Sequence, residues 1–215
     1  MYIDINTSSC KIFRQIPEGK KVLEIGCGSG RLANLLTLQK KCKVYCIEKD
    51  PVMSHIAQGK CVEVLNKDIE KEDPPYSAGF FDCIILGNVL EHFKDPEDVL
   101  RRLMKYLSDT GFLIYSVPNI VNWYSRMTIL SGKFEYSDSG VFDRAHIRFY
   151  DFNSAKKLVL DAGYIITWID VTPSIYFGKR YLNFLWYDLA FIWKNLFADE
   201  FIIIAEKYRA KNTSD

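Results

Sequence analysis

The sequence carries no surplus of charge of either sign: 28 lysines and arginines stand against 27 aspartates and glutamates, a formal charge of +1. Such a chain has no global field to hold a polyanion, so nucleic acid is not an expected partner. Long apolar runs are also missing. No stretch of about 18 uncharged apolar residues occurs, so no spanning helix is expected. The opening residues, Met1-Tyr2-Ile3-Asp4-Ile5-Asn6, lack a basic or apolar leader pattern, and no secretory leader is expected. The six cysteines, Cys10, Cys27, Cys42, Cys46, Cys61 and Cys83, form no C-x-x-C pair. They read as buried free thiols of a reducing, cytoplasmic setting rather than a disulfide frame. Histidine is scarce, at three residues. Internal repeats and low-complexity segments are absent.

What is present is an alternation of strand-like and helix-like runs from Lys20 to Ile169. The strand-like runs are Val22 to Ile25, Lys43 to Glu48, Cys61 to Leu65, Phe80 to Leu86, Gly111 to Val117, Tyr164 to Val171 and Glu200 to Glu206. Phe80 to Leu86 is almost continuously apolar, as a strand buried on both faces requires. Helices are expected over Arg31 to Gln39, after Asp50-Pro51, after Asp95-Pro96, and over Asn153 to Ala162 before Gly163. This order implies an α/β fold with a largely parallel sheet between helical layers. We read 1–215 as one domain, with 18–171 as the cofactor-binding core. Segments 119–150 and 173–199 interrupt the alternation and read as insertions that form a substrate side or an interface.

The sharpest local signal is Glu24-Ile25-Gly26-Cys27-Gly28-Ser29-Gly30. A strand runs into a glycine turn and a helix follows. Glycines allow left-handed backbone and close approach of a ligand, and the free N–H groups of the helix start favour anionic groups. Dinucleotide-binding enzymes use a related turn spaced G-x-G-x-x-G; here the spacing is G-x-G-x-G.

This run resembles motif I of class I S-adenosylmethionine (SAM)-dependent methyltransferases, and the resemblance extends in order over most of Lys20 to Ile169. It implies a Rossmann-like three-layer sandwich whose seven-stranded, mostly parallel sheet has one antiparallel strand. SAM would be the cofactor and S-adenosylhomocysteine (SAH) the product. The resemblance assigns Glu24, Gly26, Cys27, Gly28 and Gly30 to the cofactor turn, and Glu48, followed by Lys49, to the ribose hydroxyls. Met53 is assigned to the adenine face, Asp68 and Ile69 to the adenine edge, and Leu86, Gly87 and Asn88 to the methionine moiety. Asp82 reads as structural.

Methyl transfer from a sulfonium is an in-line displacement, so the protein mainly aligns the partners and excludes water. A hydroxyl acceptor also needs a base. His92, just past strand four, and His146 are the catalytic candidates, while His55 reads as a surface residue. Some relatives hold a divalent cation through E-x-x-E-H after strand four. Here Asn88 replaces the first Glu, leaving Glu91, His92 and His146. Losing one anionic ligand weakens a hard-cation site, so no metal is assigned. The aromatic segment Lys179 to Phe197 reads as a helix packed on the sheet or at a homodimer interface, with peripheral membrane contact as the alternative. The expected activity is SAM-dependent methyl transfer to an oxygen of a small-molecule, glycan or lipid-linked acceptor. An NAD(P)-dependent oxidoreductase and a non-catalytic SAM-binding module are the rivals.

Overall fold

The computed structural model describes residues 7–173 and 183–208. The chain opens with helix α1 (Ser8–Gln15) and strand β1 (Lys21–Ile25), then α2 (Arg31–Lys40), β2 (Lys43–Ile47), α3 (Pro51–Ala57) and β3 (Glu63–Leu65). It continues through β4 (Phe81–Gly87), a 3₁₀ turn (Leu90–His92), α4 (Pro96–Met104), β5 (Leu107–Pro118), α5 (Trp123–Leu130) and α6 (Phe152–Asp161). The last described elements are β6 (Tyr164–Pro173), α7 (Asn183–Ile192), α8 (Lys194–Phe197) and β7 (Ala198–Lys207). One seven-stranded sheet has the order β3-β2-β1-β4-β5-β7-β6. β7 is the single reversed strand, antiparallel to β5 and to β6.

The sheet is buried on both faces, which is why its strands show little alternation. One apolar cluster sets Leu23, Ile84 and Leu113 of the sheet beside Leu100 and Leu103 of α4 and Val159 of α6. The other sets Val22, Ile85 and Ile114 beside Ile12 and Ile16, and beside Leu36 of α2. Asp50 caps α3 by accepting from the amides of Val52 and Met53 at 2.8 and 3.0 Å. Asp95 caps α4 at Asp98, and Asp151 with Ser154 forms a capping box on α6.

The chain steps outward from β1 to β3, then returns to β4 on the other side of β1. The carboxyl ends of β1 and β4 therefore flank the crevice where sheets of this kind receive ligands.

Several expected boundaries move. β5 starts at Leu107 rather than Gly111, because Leu107 pairs with Phe81 through a register shift. α1 is not evident in the sequence: it is short and largely polar, and is fixed by burial of Ile12 beneath it. The aromatic segment is split at Trp193 into α7 and α8, and its first residues lie outside the described ones. Asp82 accepts from the Lys21 amide at 2.9 Å, the structural role read for it. His55 is exposed. Five of the six free cysteines are buried, and Cys61 is partly so.

α1 is fastened by a buried charge. Lys11 Nζ donates to Asp170 Oδ2 at 2.8 Å and to the Val171 carbonyl at 2.7 Å. Tyr187 donates its hydroxyl to the other Asp170 oxygen at 2.6 Å. Burial pushes the Lys11 ammonium below its ordinary range, against the pull of Asp170. Removing one partner leaves the other charge buried, so Lys11→Met should cost about 3 kcal/mol in urea unfolding. Tyr187→Phe, which loses one hydrogen bond, should cost about 1 kcal/mol. A loss below that second figure for Lys11→Met would show that the latch contributes no stability.

Candidate cofactor and acceptor site

β1 ends in a turn that only glycine can make. Gly26 has φ +67, and a Cβ there would lie 2.1 Å from Val89 Cγ2. Gly28 has φ +53 with nothing within 4 Å of the place its Cβ would take, so its outer face is open. Gly30 caps α2 in the left-handed region without a side-chain bond. The missing cap comes from Glu24, whose carboxylate accepts from the Ala33 backbone. Burial pushes the Glu24 carboxyl up to about 8, and its Oε2 has no partner among the described residues. Glu24 thus supports the turn from beneath.

Glu48 ties the turn to β2. Its Oε2 accepts from the Gly28 amide at 2.8 Å and its Oε1 from the Asp50 amide at 2.9 Å. Each oxygen keeps a lone pair for a further donor.

A cavity of about 350 Å³ opens on this framework. Of the residues expected at the cofactor, Gly26, Glu48, Lys49, Asp68, Ile69 and Asn88 line it. Cys27 instead packs in the apolar cluster below the turn. Leu86 is in the core, and Met53 is 41% exposed on α3, outside the lining. A Cβ on Gly87 would lie 3.8 Å from Ile12 Cδ1 of α1. Asp68 divides its carboxylate between the Glu70 amide at 3.1 Å and Lys71 at 3.1 Å. The sequence reading missed Lys67, Val89, Phe93 and Ala145, which also line the cavity. Only Ala145 comes from a distant segment.

A second cavity of about 530 Å³ adjoins the first across Asn88 and His92, which line both. Glu91, His146, Asp199 and Glu200 belong to its wall, together with Thr7 and Ser8 at the start of α1. Backbone bonds bring its histidines together. The Glu91 carbonyl accepts from the Ile147 and Arg148 amides at 2.9 and 3.0 Å, which lays segment 145–148 against the 3₁₀ turn. Arg148 also donates to the Lys94 carbonyl. Arg144 is paired with Asp138 at 2.9 Å.

The two imidazoles present the same edge. His92 Nδ1 lies 3.0 Å from the Ala145 carbonyl and His146 Nδ1 lies 3.3 Å from the Val141 carbonyl. A carbonyl only accepts, so these contacts assign the proton to Nδ1 and leave Nε2 with a lone pair in both rings. The ring centroids are 4.9 Å apart. His146 Nε2 is 3.8 Å from Glu91 Oε1. Neither Glu91 oxygen has a hydrogen-bond partner among the described residues. Burial pushes the Glu91 carboxyl up to about 8 and holds the His146 imidazole below its ordinary range. Ligand atoms of Glu91, His92 and His146 lie within 4.8 Å of one another. Two imidazole nitrogens and a desolvated carboxylate suit a borderline divalent ion better than a hard one.

Sequence reasoning also missed the acids of β7. Glu200 accepts from Ser8 Oγ and Thr172 Oγ1, each at 3.2 Å, and from the Asn88 amide nitrogen. Asn88, at φ +51, accepts from Ser116 Oγ at 2.7 Å. Burial and the neighbouring Glu200 push the Asp199 carboxyl up to about 6. The acidic strand start Asp199-Glu200 was the available signal, and it needed the reversal of β7 to gain meaning.

Residues 10–167 match a family model described as a methyltransferase domain. The chain is 25% identical over 177 residues to a ubiquinone biosynthesis O-methyltransferase of Pectobacterium atrosepticum, covering 80% of this chain and 67% of that protein. It is 30% identical over 115 residues to the enzyme of the same name from Chromobacterium violaceum, covering 47% of this chain and 45% of the relative. The chain therefore matches about half the length of that second protein. A SAM-dependent methyltransferase structure from Archaeoglobus fulgidus has the same fold, with a TM-score of 0.68, 18% identity, and coverage of 93% and 92% of the two chains. With the family model spanning well over half of its length, the chain belongs to the methyltransferase domain family.

Proposed function

We propose that the chain transfers the methyl group of SAM to an oxygen of a small-molecule acceptor, a class that includes glycans and lipid-linked compounds. The observation that carries this reading is the pair of cavities meeting at Asn88 and His92. The names of the two curated relatives support oxygen as the acceptor atom.

In this reading Glu48 takes the ribose hydroxyls on its remaining lone pairs. The open face of Gly28 admits the nucleoside, Asp68 and Ile69 border the adenine, and Asn88 faces the methionine end. Bound SAM would supply an already activated methyl, which an acceptor oxygen would take as the carbon–sulfur bond breaks, with SAH as the leaving product. The acceptor hydroxyl's proton passes to Nε2 of His146, which is neutral at pH 7 because burial lowers its basicity. His92 borders both partners and orients the acceptor.

A second reading adds a divalent cation on Glu91, His92 and His146. It is favoured by the orphaned Glu91 oxygens and by ligand atoms of the three residues lying within 4.8 Å of one another. Such an ion would lower the pKa of an acceptor hydroxyl bound to it. Asn88 contributes no charge here, which leaves the ion fewer anionic ligands than the E-x-x-E-H pattern provides.

Glu48→Ala should weaken SAH binding by roughly 1–3 kcal/mol in calorimetry, from lost charged hydrogen bonds. Unchanged affinity in a folded variant would remove the ribose role. His146→Ala should lower the rate of SAH release with a turned-over acceptor by about 10²–10⁴-fold while SAH affinity holds. A folded variant that keeps wild-type turnover would show that the imidazole is not the base.

Glu91 gives a pH signature. Its folded carboxyl keeps a proton up to about pH 8, whereas the unfolded chain loses it near the ordinary value of 4.5. Folding stability should therefore fall as pH rises between those values. Glu91→Gln should flatten the slope and melt above wild type at pH 8 in chelator-treated buffer. Zinc or manganese should raise the wild-type Tm and leave Glu91→Gln unmoved. An equal response in both proteins would eliminate the metal reading.

A further inference from the structure

A groove of about 590 Å³ lies away from both cavities, between α5, the start of α6 and α8. Arg126, Phe152, Ile192, Trp193 and Lys194 line it, and no acidic residue does. The Phe152 ring carries Lys156 Nζ 4.5 Å and Lys194 Nζ 5.2 Å from its centroid. Three cations thus gather around one groove. Among the described residues, none of the three enters an ion pair. Arg126 Nε donates to the Val121 carbonyl at 2.6 Å and Lys194 Nζ to the Phe191 carbonyl, so these cations are held in place by neutral groups and the positive charge of the groove is not balanced by a paired carboxylate.

The rim is apolar where a surface protein is normally polar. Ile192 is 68% exposed and Trp193 59%. On α5, Tyr124, Met127 and Leu130 recur every third residue and are all exposed, which sets them along one side of the helix. Single exposed apolar residues are ordinary, but large ones gathered around cations mark an interaction surface.

We propose that this groove binds the anionic headgroups of a phospholipid membrane, with Trp193 and Ile192 entering the interfacial layer. A free phosphate would use the cations and gain nothing from the exposed tryptophan and isoleucine. A second copy of the chain would bring like charges face to face. A bilayer surface satisfies both halves at once: anionic lipid attracts the lysines and arginine, and the headgroup boundary accepts the amphipathic indole. α5 belongs to the same insertion as Ser139 to Val141, which line the second cavity, so docking here would hold that insertion at the membrane surface.

The test is flotation of the full chain with vesicles of phosphatidylcholine alone and of an equimolar mixture with phosphatidylglycerol. Binding to the anionic vesicles only, weakened at high salt, is expected. The variant Arg126→Gln/Lys156→Gln/Lys194→Gln should lose roughly a hundredfold in vesicle affinity, with SAH affinity as the check on folding. Trp193→Ser should weaken vesicle binding without changing its salt response. Equal binding to neutral vesicles, unchanged binding of the triple variant, or no flotation at all would overturn the proposal. So would calorimetric binding of inorganic phosphate without vesicle binding. Should the triple variant fail to fold, the salt response of the wild-type chain decides alone: binding that ignores salt refutes the role of the cations.

Discussion

The Glu48 carboxylate holds the cofactor side together. One oxygen accepts the Gly28 amide and the other the Asp50 amide, so a single side chain locks the turn after β1 to the turn after β2. Both turns are irregular backbone and cannot satisfy these amides by themselves. Glu24 works from below, capping α2 where Gly30 cannot. Two acids therefore fix a loop whose glycines would otherwise be its least ordered part. The open face of Gly28 is the result of that rigidity: space beside the backbone that the backbone does not collapse into.

The acceptor side follows a different logic. Glu91 is buried and Asp199 and Glu200 are partly buried, and burial drives Glu91 and Asp199 towards their neutral forms. A neutral carboxyl can donate a hydrogen bond, while an ionised one attracts a cation, so the site changes character with its occupant. The imidazoles do not share this ambiguity, since carbonyls on the far edge of each ring set the tautomer. The orienting carbonyl bonds define which nitrogens keep a lone pair, and they come from Val141 and Ala145, two loop positions with no side-chain chemistry of their own.

Much of the fold was legible because its periodicities are local. Near-continuous apolar runs gave the central strands, and Asp-Pro pairs gave the starts of α3 and α4. The glycine turn and the acid closing β2 were legible for the same reason: neighbours in sequence meet there. Cys27 shows the limit of reading a motif by adjacency, because it sits inside the turn yet points into the core. Met53 lies near the cavity in sequence order but outside it in space. Of the wall of the second cavity, Glu91, His92 and His146 were legible as residue types, while Thr7, Ser8, Asp199 and Glu200 were not. Ser8, Glu91, His146 and Glu200 meet through an antiparallel strand and a loop folded back by two backbone bonds, and neither event has a local signature. The three cations of the groove are scattered over α5, α6 and α8 and carry no motif.

The reversal of β7 has a consequence for assembly in time. The Ser8–Glu200 bond spans 192 positions, among the widest separations in the molecule. The first cavity is lined by residues no later in the chain than Ala145, so all of its lining precedes β7, which adds, among the described residues, only the bond from Asn88 to Glu200. The acceptor wall closes only when that strand slides between β5 and β6, which makes long-range pairing the slow step. The lining of the first cavity would thus be synthesised in full before the wall of the second can close.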